Sequence, residues 1–164
     1  MQTTPEWEQR CAALWDAFED TDADEFRSRM AALTSKLPTG HPVAAFELAS
    51  AHDATDLGRD AVRLYRRALD AGLPEDRRRQ AVIQLASTLR ALGRPEAAAE
   101  LLLAERARTS DRLDDALTAF LALTLIDLGR EREAAALALG ALAPHLPAYR
   151  ISVARYADAV TGTA

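Results

Sequence analysis

One short pattern recurs three times in this chain of 164 residues, and it constrains the fold more than any other feature. The pair Leu-Ala begins at Leu48, Leu85 and Leu121, so successive copies are 37 and 36 residues apart. A further alanine stands 13 residues after each of these leucines. A unit of about 35 residues cannot bury its apolar face alone, so such units stack on their neighbours. The chain is therefore predicted to be an array of repeats.

Composition indicates that each repeat is helical. The chain has 36 alanines but only five valines and three isoleucines, and aromatic residues make up 5%. Helices favour Ala, Leu, Arg and Glu, whereas strands favour β-branched and aromatic residues. With 49% hydrophobic residues the chain is too apolar to be disordered. We predict an all-α protein with a sizeable core.

Capping residues and helix breakers predict nine helices joined by short turns. Short turns place consecutive helices antiparallel to one another. Serine, threonine and aspartate are favoured caps at helix starts, and proline is tolerated in the first turn. The predicted starts are Thr4 for the first helix, Asp22 for the second, Ser110 or Asp111 for the seventh and Pro147 for the last.

A Leu-Gly-Arg triplet marks the turn inside each unit. The triplets begin at Leu57, Leu92 and Leu128. Glycine can adopt the left-handed conformation that closes a helix. The second and third triplets are in register with the repeat, but the first is two residues out of register. We therefore expect the first turn to be built differently.

The spacing of small and large residues resembles the tetratricopeptide repeat. Antiparallel helices need a small residue where they cross, with larger residues on either side. The family signature is Leu, a small residue, a large residue, then Ala, a large residue and Pro. His52 stands where tyrosine is usual, and the usual tryptophan of each unit is missing. The matching residues are Leu48, Ala49, His52, Ala61, Tyr65, Ala68 and Pro74 in the first full unit, Leu85, Ala86, Leu89, Gly93, Ala98 and Leu102 in the second, and Leu121, Ala122, Leu125, Gly129, Ala134, Ala141 and Pro147 in the third.

The resemblance implies a right-handed superhelical solenoid of antiparallel helix pairs, similar to a small stand-alone bacterial group of the family. About four repeats and a C-terminal capping helix are expected, because solenoids require a capped end. A step of 37 residues back from Leu48 and His52 reaches Cys11 and Trp15, which indicates a degenerate first repeat. The predicted single domain spans 1–164, with this first repeat at 1–38, further repeats at 42–74, 75–110 and 111–146, and the capping helix at 147–161.

The resemblance also implies a function, which is protein binding without catalysis. In this family the first helix of each pair lines a concave surface that holds peptides. The carboxylate clamp of some members uses Lys and Asn, but this chain has no asparagine, so chaperone tails are not expected as ligands. A groove filled by the chain's own termini, or one without a ligand, is the open alternative. With 100° of rotation per residue, the residues predicted to line the groove are Phe46, Ser50, Asp53, Gln80, Ile83, Gln84, Ser87, Arg90 and Asp127.

Two other functions are alternatives to peptide binding. One is self-assembly as a homodimeric structural or regulatory protein, through apolar helices at the two ends that bear Trp7, Leu137, Leu139 and Tyr149. The other is an enzyme, which is not expected because no acid–base pair or metal-ligand set converges in the sequence. The histidines are far apart and the chain has one cysteine, so neither a metal site nor an internal disulfide is predicted. No cofactor is expected.

Charge is uneven along the chain. The formal net charge is −5, and residues 1–56 alone carry 4 basic and 11 acidic side chains. Arginines at 59, 63, 66, 67 and 77–79 form a basic surface in the middle of the chain. Nucleic-acid binding is not expected, because the chain is acidic overall and Tyr65, the one aromatic residue among these arginines, is needed for packing.

The setting predicted from the sequence is cytoplasmic. The longest apolar run, 134–143, is about half the length that spans a bilayer, so no membrane span is expected. The first residues show no basic segment followed by an apolar one, so no secretory signal is expected either. The expected partner is a protein or a peptide.

Overall fold

The computed structural model describes residues 2–108 and 110–162, with the backbone alone at Thr161. These residues form nine α-helices and two short 3-10 turns, with no strand among them, which confirms the all-α prediction. The predicted domain limits, residues 1 and 164, lie outside the described residues. The helices are α1 (Pro5–Asp16), α2 (Ala23–Thr34), α3 (Pro42–Asp53), α4 (Gly58–Asp70), α5 (Glu75–Ala91), α6 (Pro95–Arg108), α7 (Asp114–Asp127), α8 (Glu131–Leu142) and α9 (Arg150–Thr161).

The helices belong to two compact units whose boundary, after Thr88, falls inside α5. In the first unit α1 packs on α2, α2 on α3 and α3 on α4. In the second unit α6 packs on α7, α7 on α8 and α8 on α9. Contact between consecutive elements is the packing mode of helical repeat proteins. The handedness of the superhelix and the single-domain arrangement stay predictions.

The small residues of the repeat lie where the sequence places them, in the core. The alanines at 61, 98 and 134 are 0%, 0% and 2% exposed. The leucines at 85 and 121, which begin two of the Leu-Ala pairs, are 1% and 0% exposed. Small side chains at these positions allow the helix backbones to approach to about 8–10 Å.

The predicted caps of the first two helices are present. The Thr4 hydroxyl accepts a hydrogen bond from the Trp7 backbone N–H at 3.3 Å, ahead of Pro5. The Asp22 carboxylate accepts from the backbone N–H groups of Asp24 and Glu25 at 2.9 and 3.2 Å. Each cap satisfies backbone donors that a helix start otherwise leaves unpaired.

Two predicted helix starts were wrong. The seventh helix begins at Asp114 and not behind Ser110 or Asp111, because the Asp111 carboxylate accepts from the Leu113 backbone N–H at 2.7 Å and closes a turn ahead of the helix. The last helix begins at Arg150 and not at Pro147, because the left-handed Tyr149, with φ of 65°, separates the proline from it.

The turn between the two helices of each full repeat has the same backbone conformation in all three repeats, although the residue at its centre differs. Gly93 and Gly129 have φ of 73° and 71°, and Asp56 occupies the equivalent position with φ of 62°. The next backbone N–H donates to a carbonyl five residues earlier in every case, at 2.8 to 2.9 Å. Gly58 instead begins α4. The expectation that the first turn is built differently was therefore wrong. Its backbone is the same, and an aspartate takes the left-handed position that glycine holds in the other two.

This turn leads to a stability prediction. The left-handed conformation costs an L-residue about 1–2 kcal/mol, somewhat less for aspartate. Replacement Asp56→Gly is therefore expected to raise the free energy of unfolding by about 0.5–1 kcal/mol, as measured by urea denaturation. Gly93→Ala, whose added methyl group meets nothing within 4 Å, is expected to lower it by about 1 kcal/mol through backbone strain alone. A less stable Asp56→Gly variant would show that the aspartate side chain contributes more than the conformation costs.

Candidate functional site

A cavity of about 290 Å³ lies in the first of the two compact units. Side chains from α1, α3 and α5 form its walls. Four of the nine residues predicted from the sequence line it, and three further residues join them. The lining residues are Phe46, Ser50, Gln80 and Gln84 from the predicted groove, and Trp15, Glu47 and Arg77 in addition.

A buried carboxylate, Glu47, forms part of the cavity wall. Its residue is 5% exposed. The Trp15 indole N–H donates to Glu47 Oε2 at 2.9 Å, and Arg77 Nε lies 3.7 Å from Glu47 Oε1. Arg77 also donates to Glu8, so one guanidinium serves both carboxylates. Burial raises the pKa of Glu47, and the hydrogen bonds from Trp15 and Cys11 and the charge of Arg77 offset this effect only in part.

The single cysteine belongs to the same cluster. Burial, followed by the negative charge of Glu47 beside it, raises the pKa of the Cys11 thiol to about 12. At neutral pH Cys11 is therefore protonated, and its S–H donates a hydrogen bond to the Glu47 carboxylate. A protonated buried thiol is a poor nucleophile. Cys11 supports the carboxylate and has no features of a reactive cysteine.

The raised pKa of Glu47 makes stability depend on pH. In the unfolded chain this carboxylate has its ordinary, lower pKa, so between the two values the folded state holds more protons and gains stability as the pH falls. Glu47→Gln removes the cost of burying a charge. We expect this variant to have a higher melting temperature than the parent at pH 7.5, with the difference shrinking toward pH 4.5. A difference that grows on acidification would contradict the direction of the pKa shift.

A second polar group, Asp53, is fixed by hydroxyls from two other helices. The Thr88 hydroxyl lies 2.8 Å from both carboxylate oxygens of Asp53, and the Tyr65 hydroxyl donates to Oδ2 at 3.3 Å. Burial raises the pKa of Asp53, and these two hydrogen bonds oppose the rise. The Ser50 hydroxyl lies 3.4 Å from the Tyr65 oxygen and from Gln84 Oε1. This network links α3, α4 and α5 and holds Ser50 and Gln84 at the cavity.

The other predicted groove residues occupy different surroundings. Ile83 is 6% exposed and belongs to the core, and Ser87 is half-buried outside the cavity lining. In the second unit Arg90 and Asp127 bond to each other, with Arg90 Nη1 donating to Asp127 Oδ2 at 2.9 Å. Each of these two charges therefore neutralises the other.

The basic surface expected at 59–79 is interrupted. Arg79 is 2% exposed, and the Arg77 side chain faces Glu8, Glu47 and Asp76. Arg63 pairs with Asp60 on its own helix. Arg77 and Arg79, two of the seven arginines, thus point toward the protein interior. For this reason the arginines do not form a continuous basic surface.

In the part of the chain that the structure covers, no cluster of three or more His, Cys, Asp or Glu side chains is arranged to hold a metal ion. Across the same residues, each helix is too short or too polar to cross a bilayer.

The sequence carried a signal for one of the missed residues. Glu47 and Gln84 are 37 residues apart, in the runs Glu-Leu-Ala-Ser and Gln-Leu-Ala-Ser, so they occupy equivalent positions of successive repeats. Because Gln84 was placed in the groove, its equivalent Glu47 belonged there too. Trp15 and Arg77 gave no such signal, since their place at the cavity depends on how α1 and α5 lie against α3.

Comparison with known proteins gives one match. The model of a family described as Tetratrico peptide repeat matches residues 42–160, which is more than two thirds of the chain and runs from the start of α3 to one residue before the end of α9. No curated protein and no solved structure matches the chain significantly. The buried alanines, the shared turn and the family match agree, and the chain belongs to the tetratricopeptide repeat family.

Proposed function

We propose that this protein is an interaction module that binds a peptide segment of a partner protein in the cavity between α1, α3 and α5, without catalysis. Membership of the repeat family supports a protein partner. The observation that carries the proposal is the cavity itself, where polar side chains stand beside aromatic walls. Recognition sites of this kind combine apolar lining with a few placed polar groups.

The two glutamines are the residues proposed to contact the peptide backbone. Gln80 is exposed and Gln84 is half-buried, and both line the cavity. A glutamine amide both donates and accepts, as a peptide bond requires. The proposed site thus retains Phe46 and Ser50 together with these glutamines from the sequence-derived groove, and it adds Trp15, Glu47 and Arg77.

Peptide selection tests this proposal. A random peptide library is panned on the immobilised protein, and affinities of selected peptides are measured by fluorescence anisotropy. The double variant Gln80→Ala, Gln84→Ala is expected to bind roughly 10-fold more weakly, since each lost hydrogen bond contributes about 0.5–1.5 kcal/mol. Gln9→Ala is the matched control, because Gln9 is exposed on α1 and does not line the cavity. Equal affinities for the parent and the double variant, or a library without binders, would contradict the proposal.

A homodimer is the second candidate, favoured by exposed apolar residues on α9 and directly before it. Tyr149, Ile151 and Tyr156 are 81%, 85% and 61% exposed, and interaction surfaces expose more apolar area than the rest of a protein surface. Trp7, which the sequence also assigned to this role, is 6% exposed and donates its indole N–H to the Leu33 carbonyl at 3.1 Å, so it belongs to the core. Light scattering is expected to give twice the chain mass for the parent and the monomer mass for Ile151→Ser. A monomeric parent at high concentration would contradict this candidate.

A further inference from the structure

The charged side chains that meet at Arg77, on the cavity wall, carry a negative net charge. Among the described residues, Glu47 and Arg77 are the charged members of its lining. Arg77 also faces the carboxylates of Glu8, through Nη2, and of Asp76, through Nη1. One positive charge is therefore shared by three negative ones, and the closest approach to Glu47 is the 3.7 Å of the Nε–Oε1 pair. Arg77 therefore neutralises the negative charge of Glu47 only in part.

The wall beside this carboxylate is aromatic and fixed in place. The Trp15 ring packs against Phe26 at 5.0 Å and against Phe18 at 6.0 Å between ring centroids. Its N–H edge is held by Glu47 Oε2 at 2.9 Å. Indole is the aromatic group that attracts cations best, through its negative π face. An aromatic ring and an under-neutralised carboxylate thus stand side by side in one cavity.

The size of the cavity limits what part of a peptide it can hold. A cavity of about 290 Å³ has room for one long side chain and is too small for a folded segment. An acidic side chain would meet Glu47 and would have to compete with three carboxylates for Arg77. A basic side chain meets a carboxylate whose one cation is shared with two other carboxylates, and an indole ring.

We propose that the cavity recognises an arginine or lysine side chain of the bound peptide, held between the Glu47 carboxylate and the Trp15 ring, with the glutamines on the adjoining backbone. This inference rests on the proposed function, since it names the residue class that the peptide must present.

The proposal has a pH dependence. The groups that face Glu47 are Glu8, Cys11 and Trp15 from α1 and Arg77 from α5. A cation in the cavity favours the ionised form of Glu47, whose pKa is raised by burial, so binding releases a proton wherever the carboxylate is partly protonated. Affinity for a basic ligand is expected to fall as the pH drops from 7.5 toward 5.

The Trp15 indole is a built-in reporter for the test. The chain has two tryptophans, so a proton–nitrogen correlation spectrum shows two indole cross-peaks, assigned with Trp15→Phe. The probes are N-acetyl-arginine methylamide and its neutral isostere, the citrulline analogue. The arginine probe is expected to shift the Trp15 peak saturably and leave the Trp7 peak in place. The citrulline probe is expected to bind at least tenfold more weakly.

Two matched variants show whether the arginine probe binds in the cavity or is only attracted by the net negative charge of the protein. Glu47→Gln keeps an acceptor for the indole N–H, and it is expected to weaken arginine binding at least tenfold. Glu19→Gln removes the same charge from an exposed position outside the cavity lining and is expected to change nothing. Equal binding of the arginine and citrulline probes, or equal losses in the two variants, would overturn the inference.

Failure of the basic-residue inference and failure of peptide binding give different results. Selected peptides that bind through the glutamines but prefer acidic or apolar side chains would overturn the basic-residue inference and leave peptide binding in place. An arginine probe that binds when the library yields no peptide would support the charge preference and contradict the peptide-binding function.

Discussion

Replacement of Ala98 by leucine is expected to lower the free energy of unfolding by about 1–3 kcal/mol. Ala98 is fully buried on α6, and its equivalents Ala61 and Ala134 are 0% and 2% exposed. Leucine at this position inserts three additional carbons where helix backbones approach closely, and the packed interior has no space for them. Chemical denaturation followed by circular dichroism measures the change.

The control lies on the same helix. Ala104 is exposed on α6, so Ala104→Leu makes the same chemical change without overpacking and is expected to alter stability by less than about 0.5 kcal/mol. If both variants were as stable as the parent, the register of the repeat would be wrong. If both were equally destabilised, helix propensity or solubility would be the cause and not the crossing.

Loss of the shared guanidinium is expected to have a comparable effect. Arg77→Met should lower the free energy of unfolding by about 2 kcal/mol at pH 7, because it leaves the buried Glu47 and the partly buried Glu8 without their cation. Removal of one partner of a fully buried pair costs about 3–5 kcal/mol. The expected value is smaller here because the Arg77 and Glu8 side chains are 19% and 35% exposed.

The pH dependence of the free energy of unfolding and a second substitution identify why Arg77→Met is less stable. The deficit of Arg77→Met is expected to shrink on acidification, since protonation removes the charge that the arginine balanced. Glu47→Gln added to Arg77→Met should recover part of the stability at pH 7. Arg66→Met, at an exposed position of α4, is the control with no expected effect. A deficit that is the same at pH 5 and pH 7.5 would mean that Arg77 acts through packing of its aliphatic stem.

Much of the fold could be predicted because its determinants are local. The spacing of Leu85 and Ala98 sets both a helical face and a repeat length, and a turn residue such as Gly93 acts on its own backbone. The errors arose where two local preferences compete. Asp111 can cap a helix or close a turn, and Tyr149 takes a left-handed conformation that its residue type does not indicate.

The cavity was harder to predict because it is made by packing between helices. Gln80 and Gln84 were found from their place on one helix face. Glu47 was not predicted as a cavity residue, because it is buried and acidic residues are normally exposed to solvent. Arg77 stood in a run of three arginines that gives no sign of which one turns inward. Such choices depend on contacts between residues some 30 or more positions apart.

Photo-crosslinking tests peptide binding in the cavity most directly. A library-selected peptide carrying a photoreactive phenylalanine analogue is irradiated with the protein, and the modified residues are mapped by mass spectrometry. We expect the cross-links to fall on α1, α3 and α5 around Trp15, Gln80 and Gln84, and to disappear when unlabelled peptide is in excess. Competable cross-links confined to α9 around Tyr149 and Ile151 would contradict the cavity as the binding site.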